Sequence, residues 1–306
     1  MPHRIIFHLD LSPGDTLVFT RALADLHTSY PGEFITDFHG VAREIFDNNP
    51  FITPMHEDHG MHIRLHYPLI KRSNQLPIHF IQAYHSYLAN GLGREVPVLG
   101  HWPEIYLSEE EEKAPFDLEL MKPYWVVVSG GKSDFTNKWP DPFHIGTSIA
   151  RTSRLNWVQV GSDDAGHEHP DVGADIRLVG KTDTRELFRV IRHAEGVVCP
   201  NTFIMHIAAA FRKPCVVLAG GREPITWFQY PNHRVLHTIG ALDCCRESGC
   251  WKSRTYALGD GDKADESLCE HPDSHNRRPT CQSMLSADRI TQAIRDISLP
   301  PVSSGP

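Results

Sequence analysis

From Tyr124 to Gly221 the chain alternates between short apolar runs and helical patterns. "YWVVVSGG" is a buried strand entering a glycine-rich loop, "PFHIGTSIARTS" a helix and "NWVQVGS" a strand. "TDTRELFRVIRHA" is a helix, "GVVCP" a strand, "TFIMHIAAAFR" a helix and "PCVVLAGG" a strand. Continuously apolar strands separated by helices bury both faces only in a parallel sheet flanked by helices. The opening follows the same grammar. "RIIFHLDL" is an apolar strand broken by Pro13-Gly14; "TLVFTRALADLHTSY" carries Leu17, Thr20, Leu23, Ala24 and Leu26 near helical spacing; "EFITDFHG" is the next strand. The pattern predicts an α/β protein with two sheets around one cleft.

Residues 50–90 are rich in His and aromatics without a clean period, except that "LPIHFIQAYHSYLANGLG" reads as a helix ending at Gly91. "LSEEEEKAPFDLELMKP" is acidic and closed by proline, so it is the linker candidate, with Glu109 to Glu112 read as a solvated face. The division is therefore 1–115, 120–285 and a tail, 286–306, whose "SADRITQAIRDI" is an amphipathic helix with Ser286 as its N-cap. The 306 residues, 40% of them hydrophobic, suffice for two cores. A net charge of −8 argues against charge-driven nucleic-acid binding. No stretch approaches a membrane span, and "MPHRIIFHLDL" is too short and too polar for a signal peptide. A cytoplasmic location is expected, and with it reduced cysteines.

Ligands of open α/β sheets collect beyond the carboxyl ends of the strands. Four such ends carry candidate chemistry. In "SPGD", Asp15 sits where a strand hands over to a helix, a place that suits an N-cap or an exposed base. "SGGKSDFTNKWP" offers Lys132 and Lys138. "CPNTFIMHIAAA" starts a helix at Asn201-Thr202, where amides and a hydroxyl can hold an anion. "LAGGREP" turns through Gly220 and Gly221. Each alone reads as a cap or tight turn. Together they describe a phosphate pocket on one lobe with a carboxylate on the other.

These segments resemble glycosyltransferase family 9, the ADP-heptose heptosyltransferase family with the GT-B fold. "SPGDTLVFTRALADLHTSYPG" is similar to that family's opening, "NKWPDPF" to its K-r-W-p segment, and "LVGKTDTRELFRVIRHAEGVV" to its G-k-t segment. "NTFIMHIAAAFRKPCVVLAGGREP" is similar to its D-S/T-G…H segment, in the right order along the chain. The resemblance implies two Rossmann-like domains, an acceptor-side one at 1–115 and a nucleotide-sugar one at 120–285. It implies Asp15 as the general base of an inverting transfer, Lys138 near the donor diphosphate, and Thr202 and His206 around the phosphates, with no catalytic metal. The family's usual Asp is Asn201 here, and Phe203-Ile204 replace small residues, which puts ADP-heptose as donor in question. The expected partners are a nucleotide-sugar donor and a glycan, protein or small-molecule acceptor. The alternatives are a GT-B enzyme using another nucleotide sugar, or a binding module on a degenerate transferase core.

Five of seven cysteines, Cys244, Cys245, Cys250, Cys269 and Cys281, fall in a polar segment with little apolar content of its own. Four thiolates suit tetrahedral zinc or iron, which would supply the missing stability. The expectation is a structural metal finger over 243–282 held by Cys245, Cys250, Cys269 and Cys281, with Cys244 a possible substitute for Cys245. The segment also looks like a variant of the iron finger of family relatives that heptosylate autotransporter proteins.

Overall fold

A computed structural model describes residues 2–113, 115, 118–274 and 277–298. The first sheet holds three parallel strands in the order β2-β1-β3: β1 (His3–Leu9), β2 (Phe34–Gly40) and β3 (Met61–Arg64). Between β1 and β2 runs α1 (Pro13–Ser29), and α2 (Phe80–Leu92) packs on α1. The predicted stop of α2 at Gly91 falls two residues early, because the left-handed residue that ends the helix is Gly93 (φ 64°).

The second sheet comprises β4 (Tyr124–Val127), β6 (Asn156–Gln159), β8 (Ile176–Arg177), β9 (Gly196–Pro200), β10 (Cys215–Gly220) and β11 (His233–His237). Their order is β11-β10-β9-β4-β6-β8, with every pairing parallel. A small antiparallel pair, β5 (Gly131–Lys132) and β7 (His167–Glu168), closes over the loop after β4. The helices are α3 (Pro142–Arg151), α4 (Thr184–His193), α5 (Phe203–Ala210), α6 (Ile225–Phe228), α7 (Thr280–Ser283) and α8 (Ala287–Ser298). The Ser286 hydroxyl does accept from an amide in the first turn of α8, at 3.4 Å from Arg289 N. Residues 299–306 of the expected tail lie outside the described residues.

The strand pattern follows from burial. β9 and β10 are buried at every position, as central strands covered on both faces must be. Trp125, Trp157, Val216 and Leu218 meet α3 and α8 through Ile145, Ile149, Ile290 and Ile294. On the opposite side one apolar cluster joins Val126, Phe188, Met205 and Val217 of the second sheet to Phe7, Phe19, Phe38 and Tyr84 of the first. The two sheets thus share a continuous core that fixes how their strand ends face one another.

A buried ionic knot ties α1 to its neighbours. Asp25 accepts from His85 at 2.8 Å, Arg21 at 2.6 Å and the amide of Leu99 at 3.0 Å. Burial alone would push its carboxyl up, but these donors hold it below the usual range. The acidic linker departs from the expected solvated face. Glu111 is gripped by Arg185 of α4 at 2.7 Å through two nitrogens, and the same guanidinium reaches the carbonyls of Glu44 and Tyr106. These bonds hold Glu111 down at about 2. Glu111 therefore staples the linker to the second sheet, whereas Glu110 pairs with Lys113 at the surface.

Candidate active site

Two strand-to-helix junctions meet where the sheets face each other. β1 runs into α1 through Ser12-Pro13-Gly14-Asp15, and β9 runs into α5 through Asn201-Thr202. The first turn of α1 lies against His206, since a Cβ on Gly14 would sit 3.4 Å from the His206 ring. A glycine here lets the two helix starts approach.

The N-cap of α1 is Ser12. Its Oγ accepts from the Asp15 amide at 3.3 Å and donates to Asp15 Oδ2 at 2.8 Å. Asp15 therefore sits in the first turn without being the cap, which removes the bland reading of this carboxylate. It is only 6% exposed, and burial raises its pKa from 3.8 to about 6 despite hydrogen bonds from Ser12 and Tyr67 and the nearby charge of Lys138. Tyr67, on the loop after β3, donates from a ring that is 40% exposed, and its own ionisation is pushed up by burial and by Asp15.

Lys138 lies at the end of the loop that follows β5. Its Nζ contacts Glu223 Oε1 at 2.8 Å and donates to the Asn201 carbonyl at 3.1 Å. Burial lowers the ammonium's pKa although Glu223 opposes the shift. The same Glu223 Oε1 receives Arg222, while Oε2 takes the Asn201 amide at 2.5 Å. Arg222 is itself held by Lys252 O at 2.9 Å and flanked by the Phe135 and Trp251 rings at 5.5 and 5.2 Å. Burial pushes the Glu223 carboxyl up, but Lys138 and Arg222 outweigh it, so it stays ionised.

Thr202 is the N-cap of α5 and its side chain makes no capping bond; the hydroxyl instead lies 3.4 Å from Pro200 O. His206 is buried against the Tyr230 hydroxyl at 2.8 Å, and desolvation drops it to about 3, so it is neutral. It can therefore act on a ligand as a hydrogen-bonding ring without positive charge. Phe203 packs on Phe188, 6.1 Å between ring centres, and Ile204 is buried in the core. These two departures from small residues therefore face packing partners.

Lys132 is not drawn into this group. It is half exposed and pairs with Asp134 at 2.6 Å. Gly220 (φ 59°) and Gly221 line the cysteine-rich segment: a Cβ on Gly221 would be 2.7 Å from Cys245 Sγ, and one on Gly220 3.1 Å from Cys281 Sγ. Their lack of side chains seats the cysteines beneath the Glu223 turn.

A model of glycosyltransferase family 9 (heptosyltransferase) matches residues 71–249, more than half of the chain. The chain belongs to glycosyltransferase family 9. Solved structures share the fold at low identity. The family 9 transferase of Veillonella parvula DSM 2008 is 15% identical, with 97% of each chain covered and a TM-score of 0.68. The iron-containing dodecameric heptosyltransferase TibC of enterotoxigenic E. coli H10407, in complex with ADP-D-β-D-heptose, is 15% identical, covering 97% of this chain and 76% of that one, with a TM-score of 0.67. The E. coli ADP-heptose LPS heptosyltransferase II is 14% identical over 97% and 98%, with a TM-score of 0.59. No curated protein matches the chain. The protein is thus a glycosyltransferase that moves a sugar from a nucleotide sugar, on the α/β fold of parallel sheets expected for GT-B.

In this transferase the expected metal-held finger is not seen as a preformed site. Among the described residues, no three His, Cys, Asp or Glu groups are placed to hold a metal ion. The segment's polar centre is instead Arg254, 1% exposed, which binds Asp260 through two nitrogens at 2.8 Å, Asp265 at 2.6 Å and Asp134 at 3.0 Å. A guanidinium with three carboxylates orders a segment that lacks apolar residues. The thiols still lie near one another: Cys244 is pushed up to about 12 by burial and by Cys250, Cys245 and Cys269. The other two cysteines, Cys199 and Cys215, are core residues buried in β9 and β10, their sulfurs 3.7 Å apart.

Glu223, Arg222 and Tyr67 were not legible as site residues. The first two are in "LAGGREP", where a charged pair wedged between a glycine turn and a proline was the available signal. Tyr67 lies where periodicity is lost, and nothing local marks it. Among the described residues no helix is long and apolar enough to cross a membrane.

Proposed function

We propose that this transferase moves heptose or a related sugar from a nucleoside-diphosphate donor to an acceptor hydroxyl with inversion at the anomeric carbon, Asp15 acting as general base. The observation that carries this reading is a buried carboxylate with its pKa near 6 beside the charged Lys138 group. A base must be ionised at working pH yet eager for a proton, and a value just below neutrality meets both needs. Asp15 would take the proton from the acceptor hydroxyl as its oxygen attacks the anomeric carbon. The departing diphosphate would gather charge beside Lys138, Arg222 and the free amides at the start of α5. Residues 1–115 would then carry the acceptor and 120–285 the donor.

Asn201 favours a second donor reading. Its amide is committed to Glu223 and brings no charge, so another nucleotide sugar could replace ADP-heptose. Incubating the enzyme with ADP-heptose and a panel of other ADP-, UDP- and GDP-sugars, with nucleoside-diphosphate release as readout, tests both. One productive donor names base and sugar, and the anomeric coupling constant of its product tests inversion. Release from none of them, with no thermal stabilisation, would remove the proposal.

We also propose that the cysteines take up a structural zinc or iron. The mutual proximity of the thiols, with Cys245 and Cys281 seated against Gly221 and Gly220, supports it, and a bound metal would deprotonate them. Cys245, Cys250, Cys269 and Cys281 would be the ligands, with Cys244 able to replace Cys245.

A further inference from the structure

Glu223 stands in an arrangement that an external anion would otherwise adopt. One oxygen, Oε1, takes the Lys138 ammonium at 2.8 Å and the Arg222 guanidinium; the other, Oε2, takes the Asn201 amide at 2.5 Å. The carboxylate is 8% exposed and lies beside the open N-terminus of α5. The space enclosed by Lys138, Asn201, Arg222, Glu223 and Gln282 leaves no room for a water molecule. This is an anion-binding site filled by the chain's own anion. The charge of the two cations is already neutralised by half, and the gap beside them is too narrow for a water molecule.

We propose that Glu223 is a resident counter-ion which the diphosphate of a nucleotide displaces from Lys138 and Arg222. The inference rests on the proposed donor reading and extends it to a residue with no assigned role. On binding, the two Oε1 contacts pass to diphosphate oxygens, while the Asn201 amide keeps its hold on Oε2 and tethers the released side chain. The exchange favours the ligand, because a diphosphate brings at least two negative charges where the carboxylate brings one. In the unliganded enzyme Glu223 keeps two buried cations from facing each other unpaired, a state that would be costly. The consequence is an affinity for diphosphate set below what the cations alone would provide, since like charges forced together at one site oppose binding.

The test is calorimetric binding of ADP, inorganic pyrophosphate and adenosine to the wild type, Glu223→Gln and Lys138→Met. Glu223→Gln should bind ADP and pyrophosphate about tenfold or more tightly, with adenosine unchanged. A residue that merely supports the fold would weaken all three or none. Lys138→Met should lose affinity for ADP and pyrophosphate. If Glu223→Gln does not fold, Glu223→Asp, whose shorter stem cannot span both cations, should still tighten pyrophosphate binding severalfold. ADP binding that depends on Lys138 but is unchanged or weakened in the folded Glu223 variant overturns the counter-ion role and leaves the donor reading standing. Absence of nucleoside-diphosphate binding in the wild type overturns both.

Discussion

Replacing Asp15 with Asn separates catalysis from stability with opposite signs. In the folded protein the carboxyl titrates at about 6 because burial outweighs its hydrogen bonds, against 3.8 when unperturbed. A raised carboxylate pKa means that the ionised form is disfavoured by folding. Below pH 4 the group is protonated in both states and costs nothing. Between pH 4 and 6 the unfolded chain ionises first, so stability contributed by this site falls, and above pH 6 the loss is complete. It amounts to roughly 3 kcal/mol at 1.4 kcal/mol per pH unit. Asn is neutral and nearly the same shape, so it removes that cost. Against this, the hydroxyls of Ser12 and Tyr67 both donate to Asp15, and an amide nitrogen cannot accept, so about 1 kcal/mol is lost. Because Ser12 supplies the cap, no capping loss is added. Asp15→Asn should therefore be more stable than wild type at pH 7 by about 2 kcal/mol, with the gain vanishing between about pH 4 and 5 and turning into a loss of about 1 kcal/mol at lower pH. Turnover should fall by about 10²–10⁴-fold, the usual contribution of a general base. Denaturant melts at pH 4 and 7, donor turnover, and ADP binding would be measured on one preparation. A variant that turns over at near the wild-type rate would refute the base. One that is destabilised at pH 7 would refute the claim that Asp15 sits in the fold at an electrostatic loss.

The pH profile of turnover should fall on the acid side with a midpoint near 6 where chemistry limits the rate, and a flat profile from 5 to 8 would separate Asp15 from the reaction. Tyr67→Phe removes a hydrogen bond that stabilises the charged form of Asp15, so that acid limb should move to higher pH by roughly half a unit or more with little change in melting temperature. An unmoved limb would show that the phenol does not tune the carboxylate. Elemental analysis of purified protein should find about one zinc or iron per chain, lost on Cys250→Ser or Cys269→Ser together with stability; metal-free protein of full stability would leave Arg254 as the segment's only organiser.

The fold was legible because burial writes itself into composition. Runs such as "GVVCP" and "PCVVLAG" are apolar at every residue, and that pattern belongs to central parallel strands. The start of α1 lies three residues before the point the sequence pattern indicates: Pro13-Gly14 reads as the break and Thr16 as the first helical residue, whereas Pro13 opens the helix and Ser12 caps it, because proline suits a first helical turn as well as a break. β3 and Tyr67 escaped notice for a different reason. β3 is four residues long and buried at none of them, so no hydrophobic period exists to find. The acidic linker misled because charge runs are usually solvated, while the partner that buries Glu111, Arg185, lies 74 residues further on.

The site shows the same limit more sharply. Lys138, Asn201 and Thr202 could be found singly because each stands at a strand end where the fold collects ligands. What a sequence cannot carry is which charges cancel. Read alone, Lys138 is a free cation offered to a diphosphate, and Asn201 is a carboxylate lost. In the folded chain Asn201 donates to Glu223, and Glu223 binds Lys138 and Arg222. A negative charge thus stands within hydrogen-bonding reach of Asn201, carried by a residue 22 positions later. The loss at Asn201 is therefore a matter of geometry and not of charge count. A sugar hydroxyl donating to position 201 would find one acceptor oxygen, Oδ1, where an aspartate would offer two, because the amide nitrogen is committed to Glu223. On the proposed donor reading, the sugar would be recognised with the carboxylate displaced to the Glu223 turn, beside the departing diphosphate.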